Sequence, residues 1–207
     1  ILATTDGGLT WTAQHATDQL DTSLLTVCAL DAQTVIAAGA YGQGFVTHDG
    51  GQTWQAIHPY DEDLHLNALV LSPPGTLLLV GERGLLLRST DQGVTWQRVG
   101  SPYESSFYGL LHLGGASMLA HGLRGHLIRS DDDGQTWQAV PSAPTALIVT
   151  SVQRPEGTVV LAGQARAFLV SRDDGHTFSP WSPGLTTAVA KLLVAPDGTL
   201  LAFGEAG

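Results

Sequence analysis

Ser89-Thr-Asp-Gln-Gly-Val-Thr-Trp96 belongs to a pattern that recurs along the chain: Ser/Thr-x-Asp-x-Gly-x-Thr followed by Trp or Phe. The other copies are Thr4-Thr-Asp-Gly-Gly-Leu-Thr-Trp11, Thr47-His-Asp-Gly-Gly-Gln-Thr-Trp54, Ser130-Asp-Asp-Asp-Gly-Gln-Thr-Trp137 and Ser171-Arg-Asp-Asp-Gly-His-Thr-Phe178. Their aspartates, Asp6, Asp49, Asp91, Asp132 and Asp173, stand 43, 42, 41 and 41 residues apart. A period of this length marks a stacked repeat. Each position has a physical role. The Asp carboxylate accepts hydrogen bonds from turn amides, Gly takes a backbone angle costly for other residues, and Trp or Phe supplies an apolar plug. The box is expected to lock a hairpin.

Outward from the box, the segments read as short apolar or alternating strands: Leu66 to Leu71, a Pro-Pro-Gly turn, Leu77 to Val80, Leu85 to Arg88, then Trp96 to Val99 after the box. Four strands per period of about 41 residues make a propeller blade. The same template fits the other units, with turns at Pro155-Glu-Gly-Thr158 and Pro196-Asp-Gly-Thr199. Their second strands end at Gly39, Gly81, Gly122, Gly163 and Gly204. The expected fold is all-β: one domain over residues 1–207, a propeller of four-stranded antiparallel blades with Asp-box turns and five repeat units. Leu200 to Gly207 resembles the start of a hairpin that Ile1 to Thr4 would complete, one linking residue short. Two arrangements fit, a closed five-bladed ring or a segment of a six- to seven-bladed one. The start at Ile1 points to the segment.

The formal charge of -10, with nine Lys and Arg, disfavours a nucleic-acid partner, whose phosphates need clustered cations. No apolar stretch approaches the roughly 20 residues of a membrane-spanning helix, so direct insertion is not expected. Glycine is abundant at 25 residues, as many tight turns require. Cys28 is the lone cysteine, in an apolar alternating run where a buried, inert thiol is expected. No Gly-x-Ser-x-Gly elbow, phosphate-binding loop or dinucleotide fingerprint is present. Neither an enzyme nor a cofactor is expected. The acidic runs Asp61-Glu62-Asp63, with His65 nearby, and Asp131-Asp132-Asp133 lack the Gly and distal Glu of a calcium loop and read as solvated turns, with no metal.

The boxes resemble the BNR, or Asp-box, repeats of sialidases and many secreted propellers. Gly81-Glu-Arg-Gly84, Gly122-Leu-Arg-Gly125, Ser101-Pro-Tyr-Glu-Ser-Ser-Phe-Tyr-Gly109 and the first box look like the photosystem II stability and assembly factor family, including its relatives in bacteria that lack photosynthesis. This resemblance implies a non-catalytic scaffold or assembly factor that binds a protein partner, a membrane protein or exporter complex, through arginines on one propeller face. It implies a periplasmic or otherwise extracytoplasmic location, with a leader segment not present in this chain. It carries Arg83 and Arg124 to the arginine-bearing face, and Arg166 as a match shifted by one position.

If the box joins the third and fourth strands, the second-to-third turns and the loops between blades lie at the opposite end, where propellers place sites. That end is expected to hold Glu82, Arg83, Arg124, Arg166, Tyr41 and Glu205 in turns, and Tyr60 to His65 and Tyr103 to Tyr108 in loops. The arginine forks suit carboxylates or peptide carbonyls; the plain alternative is local pairing, such as Arg83 with Glu82 of a neighbour. Tyr103, Phe107 and Tyr108 are either partner anchors or plugs between blades. The rival functions are a sialidase-like glycoside hydrolase, using Tyr103 with Glu104, and a carbohydrate-binding lectin. Adjacent strand residues point to opposite faces, which places that pair poorly.

Overall fold

In the computed structural model, residues 1–16, 23–73, 75–142, 145–185 and 187–204 are described. They form four four-stranded antiparallel sheets and two two-stranded ones. The first complete blade is β3 (Leu24–Ala29), β4 (Val35–Gly39), β5 (Gly44–Thr47) and β6 (Gln55–Ile57). The second is β7 (Leu66–Leu71), β8 (Leu77–Gly81), β9 (Leu86–Ser89) and β10 (Gln97–Arg98). The third is β11 (Phe107–Gly114), β12 (Ser117–Gly122), β13 (Leu127–Ser130) and β14 (Gln138–Val140). The fourth is β15 (Ile148–Gln153), β16 (Val159–Gly163), β17 (Phe168–Ser171) and β18 (Ser179–Pro180). Two hairpins flank them, β1 (Leu2–Ala3) with β2 (Thr12–Ala13), and β19 (Val189–Val194) with β20 (Leu200–Gly204).

Of the two arrangements that fit the sequence, a closed five-bladed ring would have the two terminal hairpins complete one blade. Instead they form separate sheets, with no ladder between β20 and β1 among the described residues. Leu2 on β1 and Leu201 and Phe203 on β20 stay exposed.

The second strand of each blade is apolar without alternation because both its faces are covered. Leu77 and Leu79 of β8 pack with Ile36 and Ala38 of β4, while Leu78 and Val80 of β8 pack with Phe107, Met118 and Ala120 of the third blade. Leu119 and Leu127 then meet Val159 and Leu161, and Val160 and Ala162 meet Val189 and Leu192. Each fully buried leucine contributes about 1.5–3 kcal/mol relative to exposure. The glycines that end these strands admit a neighbouring chain. A Cβ on Gly122 would lie 2.2 Å from the Ser106 carbonyl oxygen, and one on Gly163 would lie 1.9 Å from that of Leu147.

All five boxes repeat one bonding scheme around the Asp carboxylate, and the Trp11, Trp96 and Trp137 boxes add an indole bond to the box glycine. In the second blade, Ser89 Oγ donates to Asp91 Oδ1 (2.7 Å), and the Gly93 amide donates to Ser89 Oγ (2.9 Å). Thr95 then donates to both carboxylate oxygens, through its amide (2.9 Å) and its hydroxyl (2.6 Å). The Trp96 indole donates to the Gly93 carbonyl (3.0 Å). Donors converging on a carboxylate favour its ionised form. The hydrogen bonds from the box threonines hold the pKa of Asp6, Asp49 and Asp91 at about 2. As plugs, Trp96, Trp137 and Phe178 pack against the apolar clusters between blades. Trp11 is 58% exposed, because no described blade covers it.

The innermost strands carry a second repeating feature. Each has a register shift near its start, at Leu25, Asn67, Tyr108, Val149 and Ala190, and β11 has a second at Leu113. Beside these shifts, polar struts tie each blade to the next. Thr26 Oγ1 accepts from the Leu69 amide (3.0 Å), and Thr150 Oγ1 from that of Leu192 (3.0 Å). Asn67 Nδ2 donates to the Phe107 carbonyl (2.7 Å). At the third blade the equivalent residue is Gly109, and its missing side chain leaves room for the His121 ring, 2.2 Å from where a Cβ would stand. His121 Nδ1 lies 3.1 Å from the Ile148 carbonyl and Nε2 2.9 Å from Ser151 Oγ. A carbonyl only accepts, so Nδ1 carries the proton and Ser151 donates to Nε2. Burial, and less strongly the Lys191 charge, push the His121 pKa down to about 4.

Replacing Gly122 with Ala is expected to cost about 1–3 kcal/mol, measured by denaturant unfolding, because backbone and not a flexible side chain would have to move. The depressed titrations predict two acid steps in melting temperature. Both groups have folded values below their unfolded ones, so their contributions are complete above the unfolded values and lost as pH falls. His121 acts between 6.5 and about 4, and the box aspartates between 3.8 and about 2. His121→Gln should flatten the upper step alone; a wild-type melting temperature constant from pH 7 to 3 would contradict both assignments.

Candidate functional site

The hairpin turns between second and third strands share one construction. Tyr41, Arg83, Arg124 and Ala165 have φ between 52° and 58°, and the residue after each is also left-handed: Gly42, Gly84, Gly125 and Arg166. A hydrogen bond closes each turn three residues on, as from the Leu85 amide to the Glu82 carbonyl (2.9 Å) and from the His126 amide to the Leu123 carbonyl (3.2 Å). This is the type I′ turn, which suits the twist of a two-residue hairpin and prefers Asn, Asp or Gly at its tip. A left-handed non-glycine residue costs about 1–2 kcal/mol. The conformation therefore runs against local preference at Arg83 and Arg124.

Arg166 stands one position further along its turn than Arg83 and Arg124 do in theirs. Ala165 occupies the place of Arg83 and Arg124, and Arg166 stands where those turns have glycine. Arg83, Arg124 and Arg166 are all exposed and form no ion pair among the described residues. The local alternative for Arg83 is not formed, since Glu82 is engaged elsewhere. Its Oε1 lies 3.0 Å from His65 Nδ1, and its Oε2 accepts the His65 amide at 3.0 Å. Partial burial pushes the Glu82 carboxyl up, but these His65 contacts outweigh it and leave it below the usual range.

The blade-linking loops dock on these turns. The Gly84 amide donates to the Ser105 carbonyl (3.0 Å), and that of Leu123 to the Ser106 carbonyl (3.0 Å). At the other end, Gly50 and Asp133 of two boxes donate to carbonyls of first-to-second turns, Gln33 and Ala116. Turn arginines and boxes thus occupy opposite ends of the blades. Tyr103 is partly buried and stacked on His126, with centroids 3.9 Å apart and planes 7° apart. Tyr108 belongs to β11 and not to a loop, and it faces the cavity lined by the inner strands. Tyr60 accepts from Arg98 (2.6 Å) and donates to Glu62 (3.1 Å). Asp61, Glu62 and Asp63 are exposed, and Glu205 lies outside the described residues. Among the described residues no three His, Cys, Asp or Glu side chains cluster as metal ligands. Cys28 is half-buried, and burial raises its thiol pKa.

The acidic run at Asp131 to Asp133 is not a uniformly solvated turn. Asp133 is buried and reaches the preceding blade, accepting from Ser72 Oγ (2.7 Å), Thr76 Oγ1 and Arg88 Nη2 (3.1 Å). Arg88 Nε also donates to the Asp133 carbonyl (2.9 Å). One blade on, Arg129 makes a related but looser contact, donating through Nη1 to the Asp174 carbonyl and through Nη2 to its carboxylate (3.5 Å), while Asp131 of its own blade is its nearer carboxylate (2.6 Å). Sequence reasoning missed this latch. Its signal was Arg at one place before the box, Arg88 and Arg129, followed one repeat later by Asp133 and Asp174.

Strands, boxes and turns together form the blades of a β-propeller, and residues 45–56, 87–98 and 128–139 match the BNR/Asp-box repeat model. Among solved structures the chain is similar to YCF48 bound to D1 peptide, with a TM-score of 0.72 and 21% identity over 89% of this chain and 61% of that one. It is also similar to YCF48 from Cyanidioschyzon merolae, with a TM-score of 0.66 and 18% identity over 83% of this chain and 60% of that one. The chain thus spans less than two thirds of either YCF48 chain. The Niastella koreensis GH74 enzyme aligns with a TM-score of 0.58 and 20% identity, over 76% of this chain and 24% of that one. These likenesses establish a common fold. No curated protein matches the chain by sequence.

Asp133→Ala is expected to cost about 3 kcal/mol, because Arg88 would remain mostly buried without its carboxylate. Arg83→Ala and Arg124→Ala, at exposed tips, should each change stability by about 0.5 kcal/mol or less. Chemical denaturation of the three variants checks the contrast. Equal costs would erase the distinction between latch and turn arginines.

Proposed function

We propose that the chain is a non-catalytic scaffold or assembly factor that binds a protein partner, a membrane protein or exporter-complex subunit, outside the cytoplasm. The observation that carries this reading is the set of exposed arginines, Arg83, Arg124 and Arg166, held in left-handed turns on three successive blades without ionic partners among the described residues. Guanidinium forks set on rigid turns can take peptide carbonyls or a carboxylate with little further ordering. Glu82, oriented by His65, offers an acceptor beside them. The fold shared with YCF48, solved with a D1 peptide, supports peptide recognition as the mode.

Tyr103 and Tyr108 take different parts in this reading. Tyr103, stacked on His126, stiffens the loop beside the arginine turns, and Tyr108 borders the inner-strand cavity. The stacked Tyr103 ring is poorly placed as a glycosidase nucleophile beside the exposed Glu104. That geometry favours binding over hydrolysis, despite the likeness to the GH74 enzyme in fold.

An affinity capture from detergent-solubilised envelope, with wild type beside an Arg83→Glu/Arg124→Glu double variant of equal melting temperature, tests the proposal. One membrane protein enriched by wild type and lost with the variant is expected. Undiminished capture by the variant would move the binding face elsewhere. If wild type captures no membrane protein but binds a glycan array, the lectin reading takes over.

A further inference from the structure

The inner strands β3, β7, β11, β15 and β19 all contribute to the wall of a solvent-open cavity of about 400 Å³. Its wall is polar, with Thr26, Asn67, Tyr108, Thr150, Ser151 and Lys191 among the lining residues. In a chain with a formal charge of -10, no carboxylate among the described residues lines it, and Lys191 is the only lysine in the sequence. Lys191 stands at the inner-strand place taken by Thr26 and Thr150 in other blades, where those residues strut to the next blade. It is exposed and forms no ion pair among the described residues.

From this arrangement we propose that this cavity is a binding site for a small organic carboxylate, held by the Lys191 ammonium. The lining offers donors around that charge. Thr26 and Thr150 accept backbone amides through Oγ1, so their hydroxyl protons remain free to donate inward. Tyr108 brings a further hydroxyl. Ser151 gives its proton to His121 and presents lone pairs instead, so it suits a hydroxyl or amine elsewhere on the ligand. The volume lies within the range of small-molecule sites. A single compact ammonium matches one carboxylate, whereas a phosphate dianion is better met by several cations or guanidinium forks. The cavity is distinct from the arginine turns, so this inference stands or falls separately from the proposed partner face.

Titration of isotopically labelled protein with sodium lactate at constant ionic strength, followed at the His121 ring by NMR, tests it. Saturable shifts are expected in wild type and in the Arg83→Glu/Arg124→Glu variant. Loss of a charge-assisted contact should weaken the apparent affinity at least about tenfold in Lys191→Met, and Lys191→Arg should largely retain it. Should Lys191→Met fail to fold, acetylation of the folded wild type neutralises the same side chain and should have the same effect. Unsaturable shifts, or equal affinity after the charge is removed, would overturn the proposal. Tighter binding of inorganic phosphate than of lactate would overturn the carboxylate assignment.

Discussion

The structure depends on second strands that are apolar on both faces. Leu77 and Leu79 of β8 need one neighbour while Leu78 and Val80 need another, so no blade can bury its core alone. Stability in such an array is a sum over blades and the interfaces between them. Interfaces made only of leucine, valine and alanine would tolerate sliding. The polar contacts restrict it, because each joins a defined atom on one blade to a defined atom on the next.

Two such systems act at different radii. Near the axis, Thr26, Asn67, His121 and Thr150 link inner strands to their neighbours. Beyond the third strands, the Arg88 and Arg129 side chains hold box residues of the following blade. The boxes do not themselves bridge blades through Asp6, Asp49, Asp91, Asp132 or Asp173; those carboxylates close local turns. Their neighbours Asp133 and Asp174 do the bridging. The opposite end of the blades is left for turns whose tips point away from these contacts, and there the chain keeps left-handed arginines.

Much of the architecture was legible because it repeats. Glycine at the end of each second strand, Asp at a constant spacing and apolar plugs after the boxes each report a local demand made several times over. The site was legible in part: Arg83 and Arg124 lie in the turns expected of them. The one-position shift of Arg166 was legible too, since Gly163-Gln-Ala-Arg166 places alanine where the other turns have arginine; the left-handed backbone of Arg166 itself was not, because residue spacing does not encode it. Tyr103 and Tyr108 look alike in sequence as aromatic residues near a strand entry. One stacks on a histidine from the same blade, and the other turns inward at a register shift.

By itself, the sequence determined the blade: strand order, box chemistry, hairpin turns and the residues that must be small, all set by contacts within one repeat. Only the tertiary structure decided which faces meet, that Asp133 is buried while Asp131 is exposed, that Glu82 holds His65, and that Lys191 faces a cavity lined by no carboxylate among the described residues. It also showed the terminal hairpins as separate sheets. These properties arise between residues roughly one repeat or more apart, where a side chain's partner is set by the stacking of blades and leaves only a faint trace in local pattern.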